Sequence, residues 1–247
     1  MSLMNIFSRR KLSTPVDLSV LSTDMHSHLI PNIDDGAKTM EESLELIKQL
    51  SKLGYKKLII TPHVMDDYYK NTPDIILKGL EDVKIAINRD NIPIKLEVGA
   101  EYLIDQGFVE KFRNKQLLTL GDNYLLVEFS LFNAPKNIIP LIFDLQVAGY
   151  KVILAHPERY LYWYDDFDKF KKLKDKGVFF QINIISLSGY YSVLIRKMAE
   201  KLIKNQMVDF LGTDIHNYYY LESLKKSLYE KYLSQVISSG KILNSTL

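Results

Sequence analysis

Seven apolar runs of strand length, separated by longer segments of helical period, restrict this chain to a narrow choice of folds. The predicted strands lie at Thr23–Ser27, Lys57–Thr61, Ile94–Gly99, Tyr124–Phe129, Lys151–Ala155, Val178–Asn183 and Asp209–Gly212. Leu58-Ile59-Ile60, Leu125-Leu126-Val127 and Val152-Ile153-Leu154 are continuously apolar, as suits parallel strands covered on both faces. Between the runs, Thr39-Met40-Glu41-Glu42 reads as a capping box that opens a helix to about Leu53, where Gly54 stops it. Thr72 and Pro73 open a second predicted helix, to about Asn88. Further helices are predicted over Lys136–Ala148, Asp165–Lys176, Tyr190–Lys204 and Leu221–Ser234, with a shorter one over Leu103–Lys115. The absence of a Gly-rich phosphate loop counts against an open nucleotide-binding sheet. The predicted architecture is α/β, a (β/α)7 distorted TIM-like barrel. It forms a single domain over residues 23–247, preceded by a basic leader over residues 1–22.

In such a barrel the functional residues gather at the C-terminal ends of the strands. All five histidines fall there, each beside a carboxylate. His26 and His28 end the first run, His63 the second and His156 the fifth, while Asp214 and His216 follow the seventh. Glu101 and Glu128 close the third and fourth runs. The sixth offers only Gln181 and Asn183. In His26-Ser27-His28 the i, i+2 spacing points both imidazoles to one face of a strand, so both can reach one ion. Asp34-Asp35-Gly36 adds two carboxylates in a tight loop. Imidazole with carboxylate is the donor set of zinc, manganese and iron sites. Taken singly, each piece has an ordinary alternative: a His-x-His on a surface strand, a Glu128 carboxylate in solvent, a structural turn at His156-Pro157-Glu158-Arg159. Their convergence on one rim favours a metal centre.

Composition removes several classes of function. With no cysteine, the chain has no disulfide, no thiolate zinc site and no thiol nucleophile. A formal net charge of +2 gives no electrostatic case for nucleic acid. No apolar run approaches the roughly 18 residues that span a bilayer. Met1 to Lys11 is basic, with Arg9, Arg10 and Lys11, but lacks the apolar stretch of a signal peptide, so the expected location is the cytoplasm.

The ordered set Asp-Met-His-Ser-His, Asp-Asp-Gly, Thr-Pro-His, Gly-Ala-Glu, Val-Glu-Phe-Ser, Ala-His-Pro-Glu-Arg-Tyr and Asp-Ile-His-Asn runs from Asp24 to Asn217. In order and spacing it resembles the polymerase and histidinol phosphatase (PHP) superfamily. Within that superfamily it resembles the manganese-dependent protein-tyrosine phosphatases of bacterial capsule and exopolysaccharide operons. The resemblance implies three divalent ions, manganese first, with iron or zinc as alternatives. His26, His28, Glu101 and Asp214 would surround the first ion, and Asp35, His63 and His216 the second. Glu101 would bridge to a third, shared with Glu128 and His156. Arg159 matches an arginine that contacts substrate phosphate, and with His63 and His216 makes the implied catalytic set. Its alternative is a salt bridge to Glu158 or a barrel carboxylate. The sequence departs from the family at Val64-Met65-Asp66-Asp67-Tyr68-Tyr69, where basic residues can occur. It departs again at Tyr218-Tyr219-Tyr220, where a second arginine is expected.

The implied reaction is hydrolysis of a phosphomonoester by a metal-activated hydroxide. Phosphotyrosine in a protein is the expected substrate, and the partner the resemblance implies is a bacterial tyrosine kinase of polysaccharide export. A phenolate leaving group with a pKa near ~10 needs little help from a general acid, for which Asp66 and Asp67 are weak candidates. The alternatives are a small-molecule phosphatase of the same superfamily, such as one for histidinol phosphate, and a non-catalytic partner of a kinase. Oligomeric state is open.

Overall fold

The computed structural model describes residues 11–136 and 138–247. Arg9 and Arg10 of the basic leader lie outside them. Among the described residues every paired strand runs parallel to its neighbour. The strands are β1 Thr23–Asp24, β2 Lys57–Ile60, β3 His63–Val64, β4 Lys95–Val98, β5 Glu101–Leu103, β6 Tyr124–Glu128, β7 Lys151–Ala155, β8 Phe179–Asn183 and β9 Phe210–Gly212. They alternate with helices α1 Met40–Lys52, α2 Pro73–Arg89, α3 Gln106–Arg113, α4 Ile138–Val147, α5 Asp168–Asp175 and α6 Val193–Lys204. Two further helices, α7 Tyr218–Ser227 and α8 Lys231–Ser238, divide the segment predicted as one. The molecule is thus α/β with parallel strands.

Among the described residues nine strands stand where seven were predicted, in a sheet ordered β1-β2-β4 and a second ordered β3-β5-β6-β7-β8-β9. The second and third runs are each followed, after a short gap, by a further short strand that was not predicted, β3 and β5. Pro62 has no N–H to give to a ladder, so the second run is interrupted between Ile60 and His63. The third breaks in step with it at Gly99-Ala100. Hydrogen bonds from Gly99 N to Ile60 O and from Glu101 N to Pro62 O, both 3.0 Å, carry the pairing across the gap. The first run is paired only over Thr23 and Asp24. Beyond it, Ser27 makes an isolated parallel bridge with Ile215. His28 N donates to Ile215 O at 2.9 Å and Asp214 N to His26 O at 2.8 Å.

Helix starts follow their capping residues. Thr39 accepts a hydrogen bond from Glu42 N and Thr72 one from Ile75 N, leaving Pro73 in the first turn where its missing N–H costs nothing. Leu103, predicted as helical, belongs to β5, and α3 starts only after the Asp105 cap.

Side chains along the strands alternate between two apolar clusters. Leu58, Ile60, Leu125, Val127, Val152, Leu154, Phe180, Ile182 and Leu211 face the large core shared with the helices. Ile59, Leu126, Ile153, Ala155 and Phe210 form a smaller cluster on the other face, with Met25, Leu120 and Leu247. On that second face β6 reads Tyr124, Leu126, Glu128 and β8 reads Phe179, Gln181, Asn183. Each strand therefore ends its apolar face in a polar group at the same end. Residues ahead of β1 also pack on the body. Leu12 N and Val16 N donate to Tyr229 O and Leu228 O, and Leu18 and Leu21 are buried in the large core. No helix among the described residues is long and apolar enough to cross a membrane.

Candidate metal centre

The five imidazoles meet at the ends of the strands, and each is buried. His26 and His28 leave the first run on one face with their Nε2 atoms 3.2 Å apart. His28 stacks on His216 at 4.0 Å between ring centroids and lies 4.5 Å from His63. His26 stacks on His156 at 5.8 Å. Carboxylates fill the spaces between the rings. Oε2 of Glu101 is 3.1 Å from both His26 Nε2 and His63 Nδ1, while its Oε1 is 2.9 Å from His156 Nε2. Asp214 Oδ1 lies 3.3 Å from Nε2 of both His26 and His28. Oδ1 of the half-exposed Asp35 is 3.5 Å from His63 Nε2 and 3.4 Å from His216 Nε2. Glu128 Oε1 is 3.2 Å from His63 Nδ1.

Three overlapping groups have ligand atoms within 4.8 Å of one another. One is His28, Asp35, His63 and His216; another is His26, His28, Glu101 and Asp214; the third is His63, Glu101 and Glu128. Compared with the implied partition, His28 serves two groups and His63 also serves two. His156 stands outside the third group but lies 3.7 Å from Glu128 Oε2, beside Glu101.

The donor set suits a divalent cation. Imidazole and carboxylate are its usual ligands, and all three groups are made of them alone. His63 Nδ1, Glu128 Oε1 and His156 Nδ1 are buried with no aligned hydrogen bond, which is costly for polar atoms unless a further partner binds them. Burial, the largest influence on Glu101 and on Asp214, works against their negative charge. The surrounding histidines outweigh it and hold both carboxyls well below the usual range. For His26 the balance is mirrored: burial opposes a charge, and Glu101 with Asp214 raises the imidazole above its ordinary value.

A layer of orienting groups surrounds these donors. Asp34 holds His28 Nδ1 at 2.8 Å and also accepts from the backbone N–H of His63 and of Gly36. Gln181 Oε1 sits 2.9 Å from His26 Nδ1, and Asn183 Nδ2 donates to Asp214 Oδ2 at 2.6 Å. β8, the run without a candidate ligand, supplies the amides that hold the candidate ligands His26 and Asp214. Two site residues adopt backbone conformations of the left-handed region, His156 at φ 33° and Asp214 at φ 51°. Such strain collects where surrounding structure fixes a functional side chain.

Arg159 stands at the mouth with its Nη1 3.6 Å from Asp214 Oδ2 and its guanidinium 4.5 Å from the ring centre of Tyr191. Its neighbour Glu158 turns away, accepting from Asn183 N and Ser186 Oγ. Of the two structural alternatives for Arg159, the contact made is the one with a barrel carboxylate. Asp66 is engaged by the Lys111 ammonium, and its own N–H donates to Asp105. Aromatic rings line the rim. Tyr69 stacks on His63 at 5.6 Å and Tyr220 packs 4.8 Å from His216, while Tyr218 and Tyr219 remain exposed. In the sequence Asp34 counted as one of two loop carboxylates without an assigned role, and Tyr191 was passed over. Asp34 stood beside Asp35 in the same motif, which was the available signal; Tyr191 carried none.

The family described as capsular polysaccharide synthesis, CpsB/CapC, matches residues 22–233. The tyrosine-protein phosphatase YwqE of Bacillus subtilis (strain 168) is 30% identical over 195 residues, which cover 78% of this chain and 77% of that protein. The tyrosine-protein phosphatase CpsB of Streptococcus agalactiae is 28% identical over 200 residues, covering 78% of this chain and 82% of that protein. A solved structure, described under YwqE from Bacillus subtilis and CpsB from Streptococcus pneumoniae as unique metal-dependent tyrosine phosphatases, superposes with a TM-score of 0.79 at 27% identity. It covers 87% of this chain and 90% of its own.

Proposed function

The chain belongs to the capsular polysaccharide synthesis family CpsB/CapC, and from that membership and the geometry of its site we propose that it is a metal-dependent protein-tyrosine phosphatase. It hydrolyses phosphomonoesters, and its substrate is phosphotyrosine in a protein. The observation that carries this reading is the set of three overlapping His and carboxylate groups with a guanidinium at their edge. Three divalent ions, manganese foremost, would occupy those groups, and His26, His28, Asp35, His63, Glu101, Glu128, His156, Asp214 and His216 would hold them.

Residues 23–247 act as one catalytic unit built on a distorted barrel of the seven strand runs with their short extensions β3 and β5. Supporting it are the Ser27–Ile215 bridge between first and last runs and the apolar cluster on the face away from the helices. The natural partner is a bacterial tyrosine kinase of polysaccharide export, and the protein works in the cytoplasm.

When bound, ions of this class lower the pKa of a water ligand and neutralise phosphoryl oxygens. The chain's own residues do the rest. Arg159 presents N–H groups to the equatorial oxygens of the phosphoryl group, whose charge dominates the transition state. Asp34, Gln181 and Asn183 keep the imidazoles and Asp214 aimed inward, so little reorganisation accompanies the reaction. Tyr69 and Tyr220, ring to ring with His63 and His216, offer aromatic faces to the phenol. The phenolate, with a pKa near ~10, departs without a strong acid.

The deciding experiment compares purified protein before and after exhaustive chelation. Activity on a phosphotyrosyl peptide should vanish and return with manganese, and His28→Ala should abolish it. Activity that survives both treatments sinks the reading. Faster turnover of histidinol phosphate than of the peptide would move the substrate to a small molecule.

A further inference from the structure

Asp214 turns its two carboxylate oxygens in opposite directions. Oδ1 faces His26 and His28, at 3.3 Å from each Nε2. Oδ2 faces the rim, where it accepts from Asn183 Nδ2 at 2.6 Å and from the Tyr191 hydroxyl at 3.1 Å. Asn183 Nδ2 also lies 3.1 Å from the Tyr191 oxygen, so amide, phenol and carboxylate form a closed triangle. Two donors already occupy the lone pairs of Oδ2. Arg159 Nη1 arrives third and stops at 3.6 Å, outside hydrogen-bond reach. Its guanidinium rests on the ring of Tyr191 at 4.5 Å. Left to itself, a guanidinium beside a carboxylate closes into a bidentate pair, the stronger arrangement.

We propose that Tyr191 is a positioning residue that keeps Arg159 off Asp214. Its hydroxyl fills the acceptor site the guanidinium would otherwise take, and its ring holds the guanidinium plane. The N–H fork of Arg159 then stays open to a phosphoryl group, and Asp214 keeps Oδ1 turned to the histidines. The inference rests on the phosphatase reading above and adds to it the residue that makes Arg159 available.

Tyr191→Phe retains the ring and removes only the hydroxyl. Binding of inorganic phosphate to the manganese-loaded protein, measured by calorimetry, should weaken about tenfold, the scale of a hydrogen bond to a charged group. KM for a phosphotyrosyl peptide should rise and kcat should fall with it, because the oxygens Arg159 contacts gain charge in the transition state. Because Tyr191 acts through Arg159, adding Tyr191→Phe to Arg159→Gln should weaken phosphate binding no further than Arg159→Gln alone. A purely structural tyrosine would instead lower Tm and give additive losses. Phosphate binding within twofold of the parent in Tyr191→Phe, or additivity in the double variant, overturns the proposal. Tyr191→Met is read in the same way if the Phe variant does not fold. The two readings separate cleanly: if Arg159→Gln leaves phosphate binding unchanged, the assignment of Arg159 fails. If Arg159→Gln weakens binding and Tyr191→Phe does not, only the role of Tyr191 falls.

Discussion

Nδ1 of His28 lies 2.8 Å from Oδ2 of Asp34, so a loop carboxylate fixes the tautomer and tilt of an imidazole that serves two of the three donor groups. A carboxylate behind a metal-binding histidine also raises the basicity of the nitrogen that faces the ion.

Asp34→Asn preserves shape and removes that charge. Manganese affinity should fall by about 10- to 100-fold, the usual cost of losing such a partner. Activity should recover at high manganese. Titration of the chelated protein with manganese, followed by calorimetry, checks this; an unchanged affinity would remove Asp34 from the site.

Metal removal should make stability depend on pH. Without an ion, burial is the largest influence on His28 and opposes its charge, but Asp34 outweighs it and lifts the imidazole to about 10. A group raised in the folded state contributes stability that is complete below its unfolded pKa of ~6.5. That contribution is lost as pH climbs through about 10. The Tm of chelated protein should therefore fall across this alkaline window, and manganese binding below it should release protons. Calorimetry in buffers of different ionisation enthalpy counts them, and no proton release would contradict the assignment.

Gly36 lies under His28 so closely that a Cβ there would sit 2.2 Å from the His28 carbonyl oxygen. Gly36→Ala must push the Asp34-Asp35 loop away from the first run. A stability loss of about 1–3 kcal/mol is expected, as for other overpacked sites, together with weaker manganese binding. Urea denaturation and metal titration report the two effects; an unaltered midpoint would show that the loop yields freely.

Asn244, fully buried, bonds Leu211 N, Leu211 O and Thr23 O, tying the first strand to the last from the chain's far end. Asn244→Ala strands these backbone groups and should cost about 1–3 kcal/mol for each one left unsatisfied. Asn244→Asp, which cannot donate, should lose more than Asn244→Ser. Equal midpoints for all three in urea would argue that water replaces the amide.

Much of the clustering was legible because the candidate ligands sit on strand ends, where spacing dictates direction. The two-residue step from His26 to His28 and the strand-end places of Glu101 and Glu128 needed only the strand period. The double break at Thr61-Pro62 and Gly99-Ala100 was harder. Pro62 announces its missing donor, but that the neighbouring run breaks in register with it depends on pairing across nearly forty positions. Orienting groups were hardest. Gln181 looked like a lesser substitute for a ligand, and its contact with His26 is a fact of tertiary packing that no local pattern records. Tyr191 follows the same rule, since its position over Arg159 comes from a turn after β8 folding back over the mouth.

The alternation of strand residues between two clusters assigns separate duties to odd and even positions of the same few letters. Tolerance to substitution along β6 and β8 should therefore oscillate with every step. Even positions of β6 and odd positions of β8 would lose chemistry at their polar ends, and the intervening ones would lose the helix layer. A single inserted residue within either strand exchanges the two duties at once. Substitution is thereby tolerated best at the rim, where Tyr218 and Tyr219 stand exposed at the start of α7.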